Sequence, residues 1–567
     1  MTLQLPASAQ EFMKLGWEQI EPFYRDLGDV ALTSQNVEGW LTDWSRLSEL
    51  VNETQQRLYV ATSVNTEDKE AERRLFDFLD HISPPAESAE QKLRQKLLAG
   101  NLEPAGLAVP LRNMRTQAAL FREENLPLLT QEHKLENEYD KIAGGQTVEW
   151  EGKVTTIAQL KPVYQQTDRA LREKAWRLAM SRQLADRGAI NDLWTRFMAL
   201  RGKLAANAGF SDYRAFRWKQ LLRFDYTPAD CITFQNAIEN VVVPAAERIY
   251  AHRRAQLGVG ALRPWDLDVD PSGRPALKPF TAVDELQSKA ESIFRRVDPQ
   301  LGEYFAVMRQ EALLDLENRK AKAPGGFCTS FAFVKRPFIF MNAVGLHDDV
   351  QTLLHEGGHA FHVFESAHLP YAQQLDVGME FAEVASMSME LLGLPYLAPR
   401  ATGFYDEREA ARAQAEHLES LILFWPYMAV VDAFQHWVYE NYEAARDPAN
   451  CDRAWAVQWN RFMRGVDWSG LEQEMMTGWH RKLHIHQVPF YYVEYGMAQL
   501  GAVQVWRNSQ RDQRQAVKAY RHALSLGGSA TLPELFSAAG ARFSFDAATL
   551  ADAVSMIEAT LERLTKG

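Results

Sequence analysis

Apolar residues recur every three or four positions along most of the chain, a period that predicts amphipathic helices. Val37, Trp40, Leu41, Trp44, Leu47, Leu50 and Val51 form one such stripe. The charged stretch 66–74 that follows predicts a solvated helix start, with Thr66 as its N-cap. Similar patterns continue to about residue 250 and predict an antiparallel helical array over the N-terminal third.

The helical period breaks in two places. Residues 258–280 are rich in Gly and Pro and predict a long loop. Asp266, Asp268 and Asp270 alternate there, but Pro271 and Leu277 occupy the positions where a calcium loop needs Gly and Glu. Residues 325–342 alternate bulky and small side chains and are dense in Phe. They predict the one strand region, a hairpin turning at Lys335-Arg336-Pro337. Helical patterning then resumes to the end. The longest apolar stretch, Leu421 to Val431, is interrupted by Pro426 and is too short for a membrane helix.

Composition narrows the class. The chain has 567 residues, of which 46% are hydrophobic and 24% charged, so a mainly disordered chain is excluded. The net charge of −12 leaves no electrostatic footprint for nucleic acid. Cys231, Cys328 and Cys451 are too few and too scattered for a disulfide framework or a cysteine zinc cage. The first residues lack a basic and then apolar leader, which gives the expectation of a cytoplasmic protein without a membrane partner.

Histidine is concentrated. Ten of the fourteen lie between His347 and His486. Within that window His355-Glu356-Gly357-Gly358-His359 places two imidazoles at i and i+4, on one helix face, where both can grip one metal ion. Glu356 sits about 100° around the helix, beside the metal, where a carboxylate can take a proton from a bound water. The apolar neighbours Leu353, Leu354, Ala360 and Phe361 predict a buried helix, in which unpaired imidazoles are costly. Two glycines inside a helix each cost about 1 kcal/mol, which makes sense if another backbone comes close. Asp348 and Asp349 suit the helix start by capping and by its dipole.

A catalytic zinc needs a third protein ligand and one open position. His362 and Glu365 stand where a metzincin has Gly and His, so that pattern fails. The segment 377–393 offers Glu380, Glu383 and Glu390 instead. Spacing does not choose among them; one binds metal and another can orient a ligand His through its free ring nitrogen. Further on, His484, His486, Tyr491, Tyr492 and Tyr495 gather N–H and O–H donors of the kind that stabilise a tetrahedral oxyanion.

Together these motifs resemble the thimet oligopeptidase and oligoendopeptidase F family of zinc metallopeptidases. His355 to His359 fits the family's HExGH form, and Phe381-Ala-Glu383-Val-Ala-Ser386 is similar to its third-ligand segment. Arg263-Pro-Trp-Asp-Leu267, Gly527-Gly-Ser529 and Leu532-Pro-Glu-Leu535 are similar to the bacterial oligoendopeptidase F and Pz-peptidase branch. The resemblance covers roughly residues 200–560, and the N-terminal helices only in character.

The resemblance implies a mainly α fold in which two helical halves enclose a deep substrate channel, with a small β-sheet beside the HExxH helix. Residues 1–190 would be a lid-like helical region and 191–567 the catalytic domain. It implies one zinc per chain held by His355, His359 and Glu383, with Glu356 activating the bound water. His484 is the better oxyanion donor than His486, and the choice among Tyr491, Tyr492 and Tyr495 stays open because several registers fit. The activity implied is cleavage of internal bonds of short oligopeptides. Two rivals remain: a carboxydipeptidase of the same fold, which needs a cation for the substrate carboxylate, and a non-catalytic helical peptide-binding protein with a vestigial metal site.

Overall fold

The computed structural model describes residues 3–319, 321–323 and 325–566, and the fold is mainly helical with two small sheets. The chain forms two compact units. The first comprises Met1–Ala119, Leu277–Ala413 and Ala498–Phe543; the second comprises Leu120–Ala276, Gln414–Met497 and Ser544–Gly567.

In the first unit the predicted apolar stripe lies on the helix Val37–Val64, where Trp40, Leu41, Trp44, Leu47 and Leu50 are buried against Leu93 and Leu97 of the helix Ser83–Ala99. Trp44 Nε1 donates to Glu90 Oε2 at 2.6 Å, which satisfies the indole inside that core. The N-cap of the next helix, Lys69–His81, is Asp68 rather than Thr66. Its carboxylate accepts from the backbone N–H of Glu70 and Ala71, and carboxylate caps also suit the helix dipole. Thr66 instead donates through its backbone N–H to the Ala321 carbonyl at 2.7 Å.

The predicted hairpin is present. Strands β4 (Phe327–Phe331) and β5 (Arg336–Ala343) pair antiparallel, with Cys328 opposite Ile339. The turn falls earlier than predicted, at residues 332–335, because Lys335 takes a left-handed conformation (φ 53) and leaves Arg336 and Pro337 in the strand. Strand β3 (Leu314–Glu317), which the pattern did not announce, runs parallel to β5 on its other side, so the order is β3-β5-β4. β5 is therefore central and its residues 338–341 are buried.

A buried acid in the Val37–Val64 helix sets a pH dependence of stability. Glu49 is 7% exposed. Burial pushes its pKa up to about 7 against the pull of Lys335 and Arg46, with Glu53 adding to the rise. The folded state thus holds a proton that the unfolded chain releases near 4.5, so this contribution is full below that pH and is lost as pH rises through about 7. The Glu49→Gln variant is expected to be more stable than wild type above pH 7, by up to about 3 kcal/mol, and indistinguishable at the acid end. Urea denaturation at a series of pH values checks this; an equal offset at every pH would contradict it.

The second unit contains a hairpin that the helical reading missed. Strands β1 (Thr147–Trp150) and β2 (Lys153–Thr156) pair antiparallel across Glu151 and Gly152, both at positive φ. That two-residue turn between strands rich in Thr and Val is a hairpin signal. The predicted loop at 258–280 holds only a short helical turn, Pro264–Asp266. Asp266 is fully buried and bonds Arg169 and Arg172 at 2.8 and 2.9 Å, so an arginine pair neutralises the carboxylate. Leu421–Val431 lies inside the helix Glu407–Glu440, where Trp425, Met428, Ala429, Val430 and Val431 are buried. Among the described residues no helix is long and apolar enough to cross a membrane.

Candidate active site

The motif helix runs His347–Ser366 in the first unit and starts where the sequence predicts. Asp349 Oδ2 accepts from the backbone N–H of Val344, Gly345 and Leu346 at 2.8–2.9 Å, closing a cap at the end of β5. The following helix, Met379–Gly393, packs directly against it. Gly358 is what permits that approach. A Cβ there would lie 2.5 Å from Cα of Ser386, with the Ala385 carbonyl equally close. Gly357 faces the Phe294 ring instead, 2.6 Å from where a Cβ would be. Tyr520 holds the second helix in place by donating to the Ala385 carbonyl at 2.8 Å.

This packing brings Glu383 to both histidines. Its Oε2 lies 3.4 Å from His355 Nε2 and 3.8 Å from His359 Nε2. Zinc bonds of about 2.0–2.1 Å in a tetrahedron set neighbouring ligand atoms about 3.3 Å apart, so the three donors fit one small divalent cation. Among the described residues they form one of two groups with metal-ligand spacing. Glu390, a full two turns beyond Glu383, bonds His355 Nδ1 at 2.6 Å and leaves Nε2 aimed at the shared centre. Glu380 is buried on the same helix but is not in that group. Ser386 Oγ donates to Glu383 Oε2 at 3.0 Å and fixes the carboxylate.

Charge explains the rest. Burial pulls the His355 pKa down, but the hydrogen bond and charge of Glu390, with Glu383 and Glu356 adding, hold it up at about 9. His359 is driven well below the usual histidine range by burial and by the neighbouring His355 and His362. Glu356 points off the ligand face, 8% exposed, and its pKa is raised to about 7 by burial. His355 and the backbone N–H of Cys328 on β4 oppose that rise, while Glu383 and Glu390 add to it. Three carboxyl groups around two imidazoles leave a surplus of negative charge that a divalent cation offsets.

The predicted donors form a separate cluster in the second unit. The His484 ring lies 4.9 Å from that of Tyr492, 5.9 Å from Tyr491 and 6.0 Å from Tyr495. Burial, with Lys482 adding, lowers the His484 pKa to about 4, so the ring is neutral at physiological pH. The segment is anchored from beneath. Arg223 bonds Glu494 at 2.5 Å and the Phe490 carbonyl at 2.6 Å, and Gln435 accepts from the Phe490 N–H at 2.7 Å. Phe490 itself is left-handed (φ 67), a conformation these bonds must hold. His486, set aside in favour of His484, is fully buried and stacked on Tyr139 at 4.5 Å.

Sequence reasoning missed Lys482. Its Nζ donates to Tyr492 Oη at 2.9 Å and lies 4.0 Å from the centre of that ring, and burial lowers its pKa to about 8. A lone lysine before the histidines carries no spacing signal. It also missed the Cys328 backbone contact to Glu356, which only the sheet register creates.

A mainly helical fold carrying an HExxH helix braced by a glutamate-bearing helix defines a class of metal-site hydrolase scaffolds. The match to a family model is specific: peptidase family M3 is matched over residues 163–554, and the chain belongs to that family. Among solved structures it is similar to Pz peptidase A with a bound inhibitor, at 26% identity and a TM-score of 0.87, covering 99% of this chain and 98% of that one. It is also similar to a protein provisionally assigned as an oligoendopeptidase F, at 27% identity and a TM-score of 0.88, covering 98% and 99% of the two chains. Another protein so assigned, from Bacillus anthracis, shares 25% identity with a TM-score of 0.83, over 99% and 97%. No curated protein is matched by the chain.

Proposed function

We propose that this peptidase is a zinc-dependent endopeptidase of short oligopeptides, with one zinc held by His355, His359 and Glu383. The observation that carries the reading is the convergence of those three donor atoms beside a carboxylate that is not among them. The names of the similar proteins, an oligoendopeptidase and a Pz peptidase, support the substrate class. When bound, the metal supplies a Lewis acid for the scissile carbonyl and makes water nucleophilic near neutral pH.

Glu356 takes the proton of the attacking water and later delivers it to the leaving amine. Glu390 keeps His355 in the tautomer that presents Nε2. The free edge of β4, which pairs only with β5 among the described residues, suits an extended peptide added as a further strand. On the chemistry of the cluster and the family pattern, we assign the oxyanion-donor role to His484 with Tyr491, Tyr492 and Tyr495.

Peptides of graded length, with products identified by mass spectrometry, separate this reading from the carboxydipeptidase alternative. Cleavage at internal bonds, unaffected by amidation of the C-terminus, is the expected outcome. Sequential release of C-terminal dipeptides, abolished by amidation, would overturn it.

A further inference from the structure

A second set of metal-ligand side chains lies inside the second unit, on residues that the peptidase reading does not use. Cys231 and Gln235 stand one turn apart on the helix Pro228–Ala237, and Asp432 and His436 one turn apart on the helix Glu407–Glu440. Cys231 and Asp432 are fully buried and His436 is 3% exposed. One donor atom from each of these three lies within 4.8 Å of the other two. Gln235 Nε2 donates to Asp432 Oδ2 at 2.7 Å. Asp432 Oδ1 and His436 Nε2 have no hydrogen-bond partner among the described residues, although Nε2 faces Asp432 Oδ2 at 3.6 Å. A fully buried carboxylate with one oxygen unpartnered is costly and calls for a cation.

We infer that Cys231, Asp432 and His436 form a structural metal site for a borderline-soft divalent ion, zinc by ligand type. Sulfur, imidazole and carboxylate donors match zinc and disfavour magnesium or calcium. One thiolate and one carboxylate neutralise the charge of the ion, which matters where no solvent reaches. Gln235 brings an amide to the same place as a further polar group. Loading releases the Cys231 thiol proton to solvent and leaves the sulfur as thiolate. Without the ion, burial keeps that thiol well above its usual pKa, with Asp432 adding and Arg223 and Arg214 opposing. Arg214 Nη1 lies 3.2 Å from His436 Nδ1 and bonds Glu440 at 2.5 Å. Loading requires Arg214 to turn wholly to Glu440, so that Nδ1 carries the ring proton and Nε2 is free to bind. The site joins two helices of the unit, and its three ligand side chains are buried.

The test uses the full-length chain expressed with cobalt as the only added divalent transition metal. A thiolate-to-cobalt charge-transfer band and a second equivalent of bound cobalt are expected. The band and a single equivalent of cobalt should remain in the His355→Ala/His359→Ala variant, which leaves this site as the one site filled. The band should disappear in Cys231→Ser and in His436→Gln. If those variants do not fold, sulfur in the cobalt X-ray absorption spectrum of the His355→Ala/His359→Ala protein decides. Absence of the band and of sulfur ligation in that protein, or a band that survives Cys231→Ser, overturns the inference. None of these readouts depends on peptide cleavage, so failure here and failure of the peptidase reading are distinguishable.

Discussion

Replacing Glu356 by glutamine is expected to lower peptide turnover by about a thousandfold or more while leaving bound metal unchanged. Glutamine keeps the volume and one acceptor oxygen but cannot hold the proton of the attacking water. Glu356 is not among the three converging donors, so its amide leaves His355, His359 and Glu383 in place. The backbone N–H of Cys328 that meets the carboxylate can still meet the amide oxygen. Steady-state kinetics on a quenched peptide, with metal content measured on the same preparation, checks both halves. A variant that retained near-wild-type turnover would remove Glu356 from the chemistry. A variant that lost its metal would show that Glu356 holds the ion.

The second large effect is expected at Gly358, which is buried against the neighbouring helix. A methyl group at this position meets backbone rather than a movable side chain, against Ser386 Cα at 2.5 Å and the Ala385 carbonyl. The helix Met379–Gly393 must shift, and Glu383, one turn from that contact, shifts with it. Gly358→Ala is expected to cost at least about 2 kcal/mol of stability through overpacking. Displacing a ligand by a fraction of an ångström to an ångström is expected to lower kcat/KM by about a hundredfold or more. Gly357→Ala is the matched control. Its methyl meets a side-chain atom, Cζ of Phe294, rather than backbone, so the loss there should be smaller. Equal losses at the two positions would show that helix propensity, and not helix–helix approach, governs both.

The two glycines show why part of this site was legible in the sequence. Gly357 and Gly358 interrupt a helix at a known cost that a close neighbour explains; at Gly358 the neighbour is the backbone of the helix carrying Glu383, whereas at Gly357 it is the Phe294 ring. The i, i+4 histidines were legible for the same reason, since helical spacing alone puts them on one face. The roles of Glu383 and Glu390 were not separable by spacing, because they share a stripe and differ only in which ring nitrogen each reaches. Lys482 and the Cys328 backbone depend on contacts made by distant segments and leave no local pattern.

The fold shows the same division. Long amphipathic stretches such as Val37–Val64 were readable from burial on one face. Strand β3 is four residues long and gains its identity from pairing with β5, so its own sequence carries little signal. The β1–β2 hairpin was different: its Glu-Gly turn was visible and was overlooked inside a run of helices. Asp68 displaced Thr66 as N-cap because its carboxylate satisfies two backbone donors of the helix that follows.

The account stands on a metal gripped by His355, His359 and Glu383. Hydrolysis of a quenched oligopeptide by the full-length protein, measured before chelation, after exhaustive chelation, and after return of one equivalent of zinc, tests it most directly. Loss of activity on chelation and its recovery on adding zinc are predicted. Cleavage that continues at the original rate in protein shown to be free of metal would contradict it.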